Sequence, residues 1–223
     1  MMAVCAIVSL TGALPVYASC QDDVAKAFAK QRDKSAYRMK TRQFSERGLV
    51  FMTVDYLLPY KMHQTVKSAT SSDVRQLILV GTKAWVTAGL GWSLISKKDT
   101  ASLNKQFGAS VLNPPKDKLK YECLGQLEIE GRTLIAYQGK QGNSENARTE
   151  TTVLRTVYID PETGLPVRTT VARASKPDLA FFKADYSYPD DIVIEPPKNV
   201  KPSPATTDNG KQAPLQSKAK RPK

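Results

Sequence analysis

The amino-acid sequence predicts a mainly β (α+β) fold: a strongly curved antiparallel sheet of about eleven strands forming an incomplete barrel, covered by about two helices. Three observations carry this. From Ala36 onward, short apolar or alternating runs follow one another, separated by turn signals such as Glu46-Arg47-Gly48, Pro59, Gly81-Thr82 and Glu130-Gly131. Only two segments show helical spacing. The links between strands are short, which favours a meander that bends over its own apolar face while the helices close the open side. A double-sheet sandwich is the alternative reading of the same pattern.

Taken in order, residues 1–20 contain no charged side chain, and Ala3–Leu14 is an apolar run of signal-peptide length, too short to span a bilayer. Pro15 breaks the run, and Val16 and Ala18 place small residues for cleavage before Ser19. Residues 1–18 are therefore expected to be a signal peptide, an atypical one with no Lys or Arg before its apolar run, and the protein to be periplasmic or otherwise exported. The competing reading is a buried N-terminal helix. Cys5 leaves with the signal peptide, so Cys20 and Cys123 remain. An even pair in an oxidising compartment points to a disulfide. Two alternatives stay open: lipid modification of Cys20, whose preceding Tyr17-Ala18-Ser19 fits a lipobox poorly, and two free thiols with Cys123 buried in a strand.

Asp22–Lys34 reads as a helix capped by Ser19 or Asp22, with Val24, Ala25, Phe28 and Ala29 on one narrow face. Strands follow at Ala36–Phe44, Gly48–Tyr56, Tyr60–Lys67, Val74–Val80, Lys83–Thr87 and Leu90–Ile95. Lys98–Ser110 is the second helix, with Leu103 and Phe107 four apart and Asn113-Pro114-Pro115 beyond its end. Leu119–Glu130 and Arg132–Gln138 form a hairpin, and Gly139–Arg148 a polar loop. The last hairpin pairs Thr151–Ile159 with Leu165–Val171 across Asp160-Pro161-Glu162-Thr163-Gly164, where Pro161 sets φ and Gly164 can take a positive one. The domain is expected to span residues 19–197. Residues 198–223 hold six Lys and one Arg against one Asp, half of the chain's net charge of +12, in a Pro-rich run too poor in apolar residues to order itself. A disordered basic tail is expected there, suited to an anionic membrane or cell-envelope surface.

Leu49-Val50-Phe51-Met52, Leu77-Ile78-Leu79-Val80 and Leu134-Ile135-Ala136 are continuous apolar runs, so both faces of those strands are expected out of water. One face would pack under a helix; the other would meet a second layer or a ligand hollow. Val50, Met52, Leu77 and Leu79 are the candidates to line such a hollow. Trp85 and Trp92, flanking a Gly-containing hairpin, are candidates for its mouth, with cross-strand packing as the plainer fate of that pair.

The terminal hairpin, Tyr158-Ile159-Asp160 followed by Thr163-Gly164-Leu165-Pro166-Val167-Arg168, a Tyr-containing strand and Ile194-Glu195-Pro196-Pro197, resembles the periplasmic outer-membrane lipoprotein carrier superfamily (LolA/LolB-like). A looser likeness runs through Tyr56, Pro59, Lys61 and His63, then Ile78, Gly81 and Trp85, then Gly91-Trp92; Lys61 stands where relatives commonly carry Arg. The resemblance implies a non-enzymatic protein whose bent sheet encloses an apolar hollow for the acyl chains of a lipid or lipoprotein.

Enzyme chemistry finds little in the residues. His63 is the only histidine and stands on a strand with no G-x-S-x-G nucleophile elbow in the chain, so it reads as a surface or hydrogen-bonded residue. Asp22-Asp23 suits a helix start and Asp190-Asp191 a turn. No P-loop, dinucleotide fingerprint or EF-hand occurs, and the cysteines lack metal spacing. Arg38, Lys40 and Arg42 alternate on one strand face; in an exported protein this suits solvent or anionic headgroups rather than nucleic acid. The expectation is a monomeric carrier-like protein without cofactor or metal. The rival is a sensor or interaction module of the same fold with a filled core, binding a protein or envelope partner.

Overall fold

The computed structural model describes residues 19–46, 48–87, 91–142 and 152–201; the expected signal peptide and the tail beyond Lys201 lie outside the described residues. The chain opens with α1 (Cys20–Arg32). The Ser19 hydroxyl accepts a hydrogen bond from the Asp22 N–H at 3.2 Å, Asp22 and Asp23 occupy the first turn, and Lys30 and Arg32 the last. Both charge placements complement the helix dipole. The expected start at Asp22 thus moves back to Cys20, because Ser19 supplies the cap.

Five antiparallel strands follow: β1 (Ala36–Ser45), β2 (Gly48–Leu57), β3 (Lys61–Ser68), β4 (Val74–Val80) and β5 (Lys83–Thr87), and then the short β6 (Trp92–Leu94). Helix α2 (Lys97–Phe107) continues into a π-helical turn at Gly108–Leu112. The chain then forms β7 (Tyr121–Ile129), β8 (Arg132–Gln141), β9 (Val153–Ile159), β10 (Pro166–Arg173) and β11 (Lys176–Ser187). The turn between β9 and β10 is built by Asp160, whose carboxylate accepts from the N–H groups of Glu162 and Thr163, while Gly164 sits at φ +64°.

These strands and a short β12 (Val200–Lys201) join one mixed sheet in the order β12-β6-β5-β4-β3-β2-β1-β11-β10-β9-β8-β7. Two meanders are therefore welded where β11 returns to pair with β1, from Arg38↔Ser187 to Gln43↔Phe182. The sheet does not close, so the half-barrel rather than the sandwich is formed. Its twelfth strand, β12 (Val200–Lys201), pairs parallel with β6, and takes into the sheet residues that the sequence reading left to the tail.

The register sorts side chains onto two faces. Both helices lie on the face here called inner. Val24 and Ala27 of α1 pack on Tyr121, Tyr137, Val157 and Ile159. Phe107 of α2 packs with Tyr37, Val54, Tyr56, Leu79 and Ala84. Tyr37 and Tyr56 stack at 4.6 Å between centroids. The Asn104 amide donates to the Gly81 carbonyl at 2.9 Å and fixes α2 to the β4–β5 turn. On the outer face the segment after β11 lies as a strap: Ile192 and Ile194 cover Ile78 and Trp85. That explains why β4 is apolar on both sides. Its second layer is the chain's own C-terminal segment.

Candidate functional site

The inner face divides into three zones. The α1 core takes in β7–β9, the α2 core takes in β1–β5 with Met52 packed at its edge, and between the two buried clusters lies a strip along β10, β11 and β1. Its floor is a row of small side chains in direct register, Thr169, Ala184 and Thr41, all buried. Continuing that row, Thr41 faces Met52, and Met52 faces Val66. In the row toward the β1–β2 turn, Val171 faces Phe182, Phe182 faces Gln43, and Gln43 faces Val50. Met52, Val66, Val171, Phe182 and Val50 are all half-buried, so small floor residues are flanked by larger apolar walls that retain access to solvent. Phe28 of α1 meets Tyr186 edge-on at 6.2 Å along one side. Arg155 lies over the Phe28 ring at 5.6 Å and donates to Asp117 at 2.7 Å, and the Tyr121 hydroxyl donates to the same carboxylate at 2.8 Å.

α1 is tethered at both ends. Cys20 is disulfide-bonded to Cys123 of β7, with Cα atoms 5.4 Å apart, so the pairing expected from the cysteine count is formed. At the other end the Gln31 amide donates to the Tyr188 hydroxyl at 3.0 Å, which donates in turn to the Pro166 carbonyl at 2.6 Å. Burial pushes the Tyr37, Tyr56, Tyr186 and Tyr188 phenols up, so they remain neutral donors or packing groups.

The six residues expected to line a hollow do not come together. Val50, Met52, Leu77 and Leu79 share the inner face, but Leu79 is fully buried against Ala84 and the α2 side, and Leu77 is only 6% exposed. Trp85 and Trp92 stand on the outer face, in register with Leu94 and Thr87, inside the cluster under the strap. The reason is the period of two: Ala84 points inward under α2, so Trp85 must point outward. Cross-strand packing is their role. What sequence reasoning missed is the contribution of Val66, which faces Met52 across β2–β3, and of Phe182 and Val171, which share that surface only because β11 pairs with β1.

Two cavities lie elsewhere. One of about 400 Å³ runs between α1 and the β9–β10 turn, lined by Lys26, Lys30, Ile135, Tyr137 and Pro161 among others. One of about 270 Å³ sits beside Glu130, Arg168 and Asp185. There Arg168 donates to Glu130 at 2.8 and 3.0 Å and to Asp185 at 2.6 Å, a charge-assisted clamp between the β7–β8 tip and β11. The hydrogen bond from Arg168 pulls the Glu130 carboxyl down to about 2. His63 on the outer face is hydrogen-bonded to Gln76 at 2.9 Å. No group of three or more His, Cys, Asp or Glu side chains suited to a metal occurs among the described residues. No helix among them is long and apolar enough to cross a membrane.

No family model matches this sequence, and no curated protein matches it. Solved structures do. Lipoprotein LppX of Mycobacterium tuberculosis superposes with a TM-score of 0.51 at 12% identity, over 79% of this chain and 98% of LppX. The fold is LppX-like. LprF from Mycobacterium bovis gives a TM-score of 0.49 at 9% identity over 80% of this chain and 96% of its own. A LolA-superfamily protein from Nitrosomonas europaea gives 0.30 at 13% identity, over 76% and 92%.

Proposed function

We propose that the protein is an exported, non-enzymatic binder of lipid or lipoprotein acyl chains, held along the inner-face strip between α1 and α2. The observation that carries the reading is that strip itself: Met52, Val66, Val171, Phe182 and Val50 stay half-buried beside a floor of Thr169, Ala184 and Thr41. An acyl chain laid there needs no polar anchor, since burial contributes about 0.8 kcal/mol per methylene. A disulfide fits an oxidising compartment and so supports export. The basic tail would add attachment to an anionic envelope surface. Native mass spectrometry of the mature protein tests the reading, together with titration of a fluorescent fatty acid. A co-purified lipid displaced by the probe is expected; a lipid-free protein that takes up no probe would reject it.

A second reading, an interaction module with a filled core, is favoured by one observation. Leu77 and Leu79, which a wide hollow would leave open, are packed. Under that reading the half-buried strip receives a partner's side chains, and the fatty-acid titration is flat.

A further inference from the structure

The outer face carries a second feature that acyl-chain binding does not use. Across β11, β1, β2, β3 and β4 the register sets Lys183, Arg42, Phe51, Lys67 and Val74 in one row. Phe44 and Leu49 pair in the next row toward the β1–β2 turn. Phe44 is 56% exposed, Phe51 43% and Val74 42%, so a third of the nine large exposed apolar side chains among the described residues gather at one end of one face. The strap made by Ile192 and Ile194 covers Ile78 and Trp85, in rows away from this end. The charges beside the patch are arranged unevenly. Lys183 is paired with Glu130 and Asp185, and Arg38 with Asp55. Lys40, Arg42 and Lys67 have no carboxylate partner among the described residues, and the last two flank Phe51 directly.

We infer that this end of the outer face, Phe44 and Phe51 framed by Lys40, Arg42 and Lys67, docks the protein on an anionic lipid surface. Exposed aromatic rings between unpaired cations on long aliphatic stems suit the interface, where rings enter the headgroup–acyl boundary and the cations reach back to phosphates. Charge complementarity decides the occupant: an uncharged apolar partner would leave three cations unanswered. The row spans five strands, roughly 20 Å at the usual strand spacing, broad enough for several headgroups. The inner-face strip reaches the same end of the sheet through Val50 and Phe182, so docking would bring its end to the membrane. The inference does not require that strip to hold lipid.

The test is co-sedimentation of the full mature chain with phosphatidylcholine vesicles, with and without an equal part of phosphatidylglycerol, at low and high salt. Binding to the anionic vesicles is expected, weakened by salt. Arg42→Gln with Lys67→Gln should weaken it about thirtyfold, roughly five- to sixfold for each cation near the surface. Phe44→Ser with Phe51→Ser should weaken it about tenfold or more through lost apolar burial. Because the Phe pair changes no charge, attachment through the basic tail alone would leave that variant like wild type and overturn the inference. So would a wild type that binds neither vesicle, or binds both alike. Phe51→Ser alone serves if the double variant melts early, and fatty-acid uptake from solution should be unchanged in all of them.

Discussion

The Trp substitution of two inner-face residues separates an open strip from a closed core within one sheet. Leu79 is fully buried, packed with Ala84 and Phe107 under α2. Met52 is half-buried at the edge of the same cluster, and its sulfur accepts from the Gln64 amide at 3.0 Å. Leu79→Trp must place an indole where a leucine already fills the space, which costs about 1–3 kcal/mol or more. For a domain of this size that is a fall in Tm of about 2–12 °C. Met52→Trp replaces a side chain already partly in water, and the indole can lie along the floor formed by Thr41 and Ala184. It should change Tm little while abolishing uptake of a fluorescent fatty acid. The assay is thermal unfolding by circular dichroism beside the fatty-acid titration, each variant measured in both. If Met52→Trp melts as early as Leu79→Trp, the strip is close-packed core and the reasoning is refuted. If it melts like wild type and still takes up the probe, acyl chains lie elsewhere.

Three further outcomes follow from the same geometry. Reducing Cys20–Cys123 releases a closure spanning 103 positions, nominally about 4–5 kcal/mol, so Tm should fall sharply with reductant and both thiols should become alkylatable only then. Glu130, pulled down to about 2 by its Arg168 hydrogen bond, contributes stability that is present above its unfolded value of 4.5 and lost as pH falls through about 2. NMR titration of its carboxyl should show this, and Arg168→Met should return the midpoint toward 4.5. Burial raises the Tyr37 and Tyr56 phenols, so stability should decline as pH rises past about 10, where unfolded tyrosines lose protons, and ultraviolet titration should show both ionising only on unfolding.

The strands were legible because alternation and turn residues are local. β1 to β5 begin and end within about a residue of the expected bounds, and Asp160–Gly164 turns where its Asp, Pro and Gly place it. β12 was not legible: two residues pairing in parallel beside Pro- and Lys-rich sequence leave no periodic trace, and Val200 is held by its contact with the Trp85 and Ile192 cluster, far away in sequence. The site was half legible for the same reason. Continuous apolar runs reported that both faces of β4 are buried but not what buries each, so Trp85 was grouped with Leu79 although they stand on opposite faces. Non-sequential pairing of β1 with β11 decides which residues share the strip, and it has no local signature.

That pairing also sets where the two helix-covered zones meet. Each meander carries its own helix, α1 over β7–β9 and α2 over β1–β5, so the inner face is covered from its two flanks and the weld at β1–β11 falls at their border. α1 cannot slide across the weld, since Cys123 holds its first turn and Tyr188 its last. α2 is held to the β4–β5 turn through Asn104. At the weld the sheet places Ala184 and Thr41, small side chains that are themselves buried. Ala184→Leu therefore tests whether acyl-chain space lies above the weld. If it does, Tm should stay level or rise while fatty-acid uptake is blocked, whereas a fall in Tm would show that Ala184 is small because its neighbours already occupy that space.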